Sequence, residues 1–398
     1  MKSLHLFLAT AILGATAFVL PSCSGNSSQQ DEPVIDTTSQ RSRPAQANAD
    51  LPIPLLSGSN CLFVDEAGAD VFGKKFAEAS AFSETDALAL VRSHNDQKWG
   101  YINPQGDVVI QEQYDAATCF SEGFAWVKSA GKISCIKADG SKAFDLPNAV
   151  GVKNFSEGLA AFAQMVNGKK TWGFIDNAGN IKIAPAFADA DKFSEGHAAV
   201  ATPGKNKSNQ LVWNYINTDG KSTYPDGAGV NRDFAQANVF VNQTAAVKKG
   251  GKFYLLDEFG RYKVTQPYNN LTENGMMFMA ENNGRWGWIS NEPDAAGHAV
   301  EVIKPQYDSA FLFGKNDFAA VKMNNEYIYI DGKGTQPIKA AFAKAYPFHG
   351  GHACVLVNGN IQLIDTGGTL IIPAVYCSDV ARDLQRIFTT GRSMYEGL

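Results

Sequence analysis

The sequence predicts an all-β protein built from tandem units of three to four short antiparallel strands. Three recurring signals, all in the same phase, carry that prediction. The first is a strand opener followed down the chain at Cys61, Trp99, Ser134, Trp172, Trp213, Phe253, Trp286, Tyr327 and Ile361, spaced 33 to 41 residues apart. The second is a turn glycine after it, at Gly68, Gly106, Gly140, Gly179, Gly220, Gly260, Gly297, Gly334 and Gly368. The third is an aromatic-x-x-Ala-x-x-Phe run, as in Tyr114/Ala117/Phe120, Phe187/Ala190/Phe193 and Tyr307/Ala310/Phe313.

The clearest unit starts at Phe155. Leu159 to Phe162 is a short apolar run of strand type. Asn167-Gly168-Lys169 is a hairpin turn, because Asn and Gly tolerate positive φ. Trp172-Gly173-Phe174-Ile175 is a second strand, and Asp176-Asn177-Ala178-Gly179 a second turn. Ile181 to Ile183 is a third strand, stopped by Pro185. A fourth extended piece, Phe187 to Phe193, leads into the next unit.

These strands are apolar on both faces, so each needs a neighbour above and below. Small sheets stacked face to face supply one, and four strands in about 40 residues is the size of a propeller blade. The expected architecture is therefore β-propeller-like, with an open curved stack as the alternative. Each Trp should pack against a neighbouring unit. The glycine after it should permit close approach of a sheet, or make room for a ring from next door.

The motif resembles the WG-repeat family. The match is closest at Lys98-Trp99-Gly100-Tyr101-Ile102 and at Trp172-Gly173-Phe174-Ile175-Asp176, with Trp286-Gly287-Trp288-Ile289 next. Trp213 opens its unit without the glycine, and the third, sixth, eighth and ninth units follow by phase. About nine units cover residues 57–377. The resemblance implies a bacterial binding or scaffold protein and brings no shared catalytic residues.

The N-terminus carries a different message. Lys2 precedes an apolar run over residues 4–20, followed by Leu20-Pro21-Ser22-Cys23. This resembles a bacterial lipoprotein signal over residues 1–22, with Cys23 as the acylated first residue of the mature chain; a plain secretory signal and a retained membrane helix are the alternatives. Each buried methylene of an acyl chain adds about 0.8 kcal/mol to anchoring. Residues 23–50 read as a disordered tether, rich in Ser, Gln, Asp and Ala, with a root-mean-square reach of roughly 25–30 Å. The repeat domain is expected over 51–378 and a C-terminal tail over 379–398. The expected address is the bacterial cell envelope, with the outer membrane as the expected site of the lipid anchor.

The 398 residues are 44% hydrophobic with a net charge of −5, enough for a large core and against a nucleic-acid partner. No catalytic set emerges. Glu122, Glu157 and Glu195, like Asp176, Asp257, Asp331 and Asp365, recur at turn positions, whereas catalysis needs one asymmetric constellation. The pair His349/His352 lacks the further ligands of a zinc site, so no metal and no cofactor is expected. Cys61, Cys119, Cys135 and Cys354 fall at or beside apolar strand positions and read as free thiols. Insertions at 225–233 and 291–298 open on one face and mark the candidate binding surface. The function expected is binding or scaffolding of a protein or glycan at the envelope, and not enzymatic. The runner-up is a propeller-type enzyme acting on envelope glycan or peptide, which an asymmetric polar cluster would favour.

Overall fold

The structure is a computed structural model. It describes residues 51–372 apart from 58–59, 66–68, 84, 205–209, 225–232, 265, 296, 315–316 and 349–350. The signal, Cys23, the tether and the tail therefore lie outside the described residues.

The described residues form nine small antiparallel sheets and no helix. The fourth has four strands. Its opening strand, Ala149–Val152, pairs with Leu159–Val166, which pairs with Lys169–Asp176, which pairs with Ile181–Phe187. Numbered from Leu159–Val166 as first strand, Lys169–Asp176 is the second and Ile181–Phe187 the third; Lys252–Asp257 and Arg285–Pro293 are the second strands of the sixth and seventh sheets.

The aromatic-x-x-Ala-x-x-Phe run proves to be the joint between sheets. Its aromatic ends one sheet: Tyr114 pairs with Trp99, Phe187 with Trp172 and Tyr307 with Trp286. Its alanine opens the next: Ala117 pairs with Val127, Ala190 with Val200 and Ala310 with Val321. Its phenylalanine then returns to the sheet just left. Tyr101–Phe120, Phe174–Phe193, Tyr215–Phe240, Trp288–Phe313 and Tyr329–Phe348 have ring centroids 4.7 to 4.9 Å apart. These inclined ring pairs contribute about 0.5–1.5 kcal/mol each beyond the area they bury. Where the first ring is tyrosine, its hydroxyl donates to a carbonyl beside the joint alanine: Thr118 from Tyr101, Asn238 from Tyr215 and Tyr346 from Tyr329.

Trp99 and Trp172 sit in clusters that join two sheets each, with Phe120 and Val127 around the first and Phe193 and Val200 around the second. Trp213 and Trp286 are half-buried. The ring wedged centrally between sheets is the one two residues later. Trp288 there is fully buried.

The glycine after the tryptophan answers to a different neighbour from either one expected. A Cβ on Gly100, Gly173 or Gly287 would lie 2.5, 2.4 or 2.3 Å from the carbonyl oxygen of Ile110, Ile183 or Ile303. Those carbonyls belong to the third strand of the same sheet, which bulges over the glycine. In the third sheet, Cys135 holds this place, and Phe144 pairs with it directly. In the fifth, with Asn214, and the sixth, with Tyr254, the described residues of the third strand make isolated bridges such as Trp213–Phe234 and Phe253–Tyr268. The glycine thus licenses a bulged but continuous third strand.

Cys61, Cys135 and Cys354 are buried, Cys119 is half-buried, and all four are free thiols. Burial pushes the Cys61 and Cys135 thiols up to about 12, which leaves both protonated and unreactive at neutral pH. Cys377 and His349 lie outside the described residues.

Gly173→Ala should destabilise the protein by about 1–3 kcal/mol through overpacking against the bulge. Denaturant titration checks this. A change within 0.5 kcal/mol would mean that the bulge yields freely.

Candidate functional site

Each sheet has two ends. One carries the hairpin between its first and second strands. The other carries the turn that opens on the first strand, Ser-Glu-Gly in the third, fourth and fifth sheets, and the turn after the second strand, mostly Asp-x-x-Gly or Asn-x-x-Gly. The two sets of acids at this second end do different work. Asp176 closes its own turn, with Oδ1 accepting from the amides of Ala178 and Asn180 at 3.0 and 2.8 Å. Asp331 repeats this, and the hydrogen bond from the Thr335 hydroxyl leads the effects holding its carboxyl below the usual range.

The glutamates reach across to the next sheet. Glu122 accepts from the amides of Glu157 and Gly158 at 2.7 and 2.9 Å. Glu157 accepts from Glu195 and Gly196, and Glu195 from Asn242 and Gln243. The preceding serine adds a bond in the same direction: Ser121, Ser156 and Ser194 donate to the carbonyls of Phe155, Phe193 and Phe240 at 2.9, 2.7 and 2.6 Å. The chain of staples holds the turn ends of the third to sixth sheets side by side.

It stops at the sixth sheet, where Val241-Asn242-Gln243 replaces Ser-Glu-Gly. A buried polar network takes over. The Lys263 ammonium donates to the Asn291 carbonyl at 2.7 Å, to Asn291 Oδ1 at 3.0 Å and to Thr244 Oγ1 at 3.2 Å. Asn291 Nδ2 donates onward to the carbonyls of Val241 and Asn242. Thr244 and Asn291 are buried. Desolvation lowers the Lys263 pKa, and the charge of Asp257 opposes it. All three ammonium protons have oxygen acceptors, so this lysine works as a bolt between two sheets. A lysine nucleophile needs a free lone pair instead.

Above the bolt is a cleft of about 490 Å³ whose lining includes Asn242, Arg261, Glu292 and His298. Its rim is apolar and exposed: Phe259 is 64%, Met276 56% and Tyr262 39% accessible. The Arg261 guanidinium lies 5.1 Å from the Phe259 ring centroid, and its Nε donates to Asp257 at 2.7 Å. His298 Nδ1 is 3.9 Å from the Asp294 carboxylate.

The insertion at 291–298 is the distal part of a long hairpin between Arg285–Pro293 and Ala299–Tyr307, and it forms one wall of this cleft. Of the other insertion, 225–232 lies outside the described residues. Sequence reasoning missed Phe259 and Lys263. A signal for Phe259 was present: the corresponding turn residue is Gln105, Asp139, Ala178, Asp219, Lys333 or Gly367 elsewhere. Trp99, Gly100, Trp172, Gly173, Trp213, Trp286 and Gly287 are spread over four sheets and converge on no common site.

The family described as WG containing repeat matches residues 99–132, 172–205, 300–327 and 329–360, which supports a WG-repeat protein. The cleft falls in the unmatched stretch 206–299. Among solved structures, the crystal structure of a eukaryotic initiation factor is 12% identical with a TM-score of 0.56, over 81% of this chain and 95% of that one. That similarity concerns the fold alone and agrees with a propeller-like arrangement of sheets. AztD from Citrobacter koseri is 14% identical over 80% of this chain and 92% of its own, with a TM-score of 0.40. The dihydro-heme d1 dehydrogenase NirN is 14% identical over 74% of each chain, with a TM-score of 0.42. No curated protein matches the chain.

Asn291→Ala should lower stability by about 1–3 kcal/mol, because it removes one of the three acceptors of the Lys263 ammonium and the amide donor to the carbonyls of Val241 and Asn242. Glu292→Ala, next to it and exposed, should stay within about 0.5 kcal/mol. Thermal and denaturant unfolding of both variants checks the contrast.

Proposed function

We propose that the protein is a cell-envelope lipoprotein, anchored through Cys23, whose WG-repeat body binds or scaffolds a protein or glycan partner. A WG-repeat β fold supports a binding role in general. The observation that carries the reading is the break in symmetry at the sixth and seventh sheets. In the third, fourth and fifth sheets the recurring Glu and Ser of this end are consumed in staples between sheets. Here an exposed Phe, Met and Tyr surround a cleft with an arginine packed on the Phe ring. Aromatic, Met and Arg side chains are the types enriched where proteins meet partners. The reading is of a binder rather than an enzyme: the half-buried ammonium of Lys263 at the cleft is bonded on every proton.

Phe259→Ser combined with Met276→Ser should weaken capture of the native envelope partner at least tenfold. Thermal stability should hardly change, since both side chains are exposed. Undiminished capture by a folded double variant would move the site elsewhere. Turnover of a glycan or peptide by the purified chain would replace binding with catalysis.

Cys23→Ala should abolish acylation. Mass spectrometry of the mature N-terminus from the native host checks this, and an unmodified Cys23 there would remove the lipid anchor from the reading.

A further inference from the structure

The end of the sheets opposite the cleft has a chemistry of its own. The fourth sheet's hairpin, between Leu159–Val166 and Lys169–Asp176, is longer than those of the sixth, seventh and eighth. Beyond the pair Ala163–Trp172 come three more rungs: Gln164–Thr171, Met165–Lys170 and Val166–Lys169. Beyond the matching pairs Lys248–Phe253, Glu281–Trp286 and Lys322–Tyr327, one rung follows. Two extra rungs carry the tip about 7 Å further out.

The tip is amphipathic in a particular way. Met165 is 56% and Val166 39% exposed, and Val150 beside the hairpin base is 46% exposed. Lys169 and Lys170 are exposed on the facing strand, and no carboxylate of the described residues pairs with either. Lys170 and Lys153 both stand over the Trp172 ring, at 4.7 and 5.3 Å from its centroid. At this end the third sheet's hairpin adds Lys128 and Lys132, which act on Asp115 and Asp145 respectively, and the sixth sheet's adds Lys248 and Lys249. The staple glutamates and turn aspartates lie at the other end.

The geometry points to this tip as a contact with an anionic phospholipid surface. Met165 and Val166 enter the headgroup boundary while Lys169 and Lys170 pair with lipid phosphates. Apolar side chains flanked by long basic ones match that boundary, because the stems bury and the charges stay at the phosphates. A basic surface is drawn to an anionic leaflet over roughly a Debye length. Single-stranded nucleic acid fits less well, since it stacks its bases on open rings and Trp172 is buried beneath lysines. The staples running from Glu157 through Glu195 to Asn242 fix the cleft at the opposite end. A tip on the membrane therefore presents the cleft away from it.

The inference shares the envelope address with the proposed function, but it stands on different residues from Cys23 and from the cleft. The test is local for that reason. The full chain is reconstituted into vesicles of equal parts phosphatidylglycerol and phosphatidylcholine containing brominated lipid. Met165→Trp reports the tip and Met276→Trp the opposite end, each as emission above that of the parent protein. Added emission at position 165 should be quenched at least twofold, and that at 276 by less than a tenth. The quenching at 165 should vanish with Lys169→Gln/Lys170→Gln and in pure phosphatidylcholine. These substitutions lie on an exposed tip, and near-ultraviolet circular dichroism verifies folding. Should the lysine pair prove unfolded, the pure phosphatidylcholine arm still decides. No quenching at 165, equal quenching at both positions, or quenching unaffected by loss of the lysines would overturn the proposal. So would an emission shift at 165 with soluble polygalacturonate but none with vesicles, which would assign the tip to an acidic polymer. A Cys23 found unmodified leaves each of these readings intact.

Discussion

The repeat body depends above all on one recurrent contact, a ring pair that locks a sheet to the next at five of the joints between successive sheets. A sheet of three or four short strands with two apolar faces cannot hold itself together in water. The pairs Tyr101–Phe120, Phe174–Phe193, Tyr215–Phe240, Trp288–Phe313 and Tyr329–Phe348 solve this the same way five times. Both the chain path and the ring return through one short run, whose aromatic closes a sheet and whose alanine opens the following one. The small alanine lets the backbones cross closely, and it is buried at Ala117, Ala190, Ala237 and Ala345. Polar staples add direction at the turn end, where each Glu reaches forward to two amides of its successor.

Such symmetry also restricts where specificity can reside. A Glu or Ser that recurs in successive sheets, with its hydrogen bonds spent on the neighbouring sheet, offers a partner no distinctive pattern. The sixth and seventh sheets depart from the rule. They replace the staple with the Lys263–Asn291–Thr244 network and leave Phe259 and Met276 open beside it. A buried, satisfied polar network fixes geometry more than it adds stability. That suits a joint whose shape must be held while its rim is exposed.

Much of the fold was legible in the sequence because its signals are local and periodic. The strand openers, turn glycines and joint aromatics are seen in phase, and the all-β stacking follows from strands with no polar face. What stayed hidden depends on register or on partners distant in the chain. Gly173 was readable as a close approach, but its neighbour was not, because a bulge in Ile181–Phe187 is a matter of backbone pairing. Glu157 was readable as a turn residue, whereas its bonds to Glu195 and Gly196 need two stacked sheets. At the site, the length of 291–298 gave away one wall. Phe259 could have been found as the odd residue among the turns, while the role of Lys263 follows only once Asn291 is folded over it.

The most direct test of the interlocking of sheets is a double-mutant cycle on Phe174 and Phe193, using leucine at each position to limit cavity effects. Equilibrium unfolding of the native protein, both single variants and the double variant gives the coupling energy. With rings 4.7 Å apart across the joint, a favourable coupling of about 0.5–1.5 kcal/mol is expected. Additive single effects, with coupling indistinguishable from zero, would contradict the claim that these rings lock one sheet to the next.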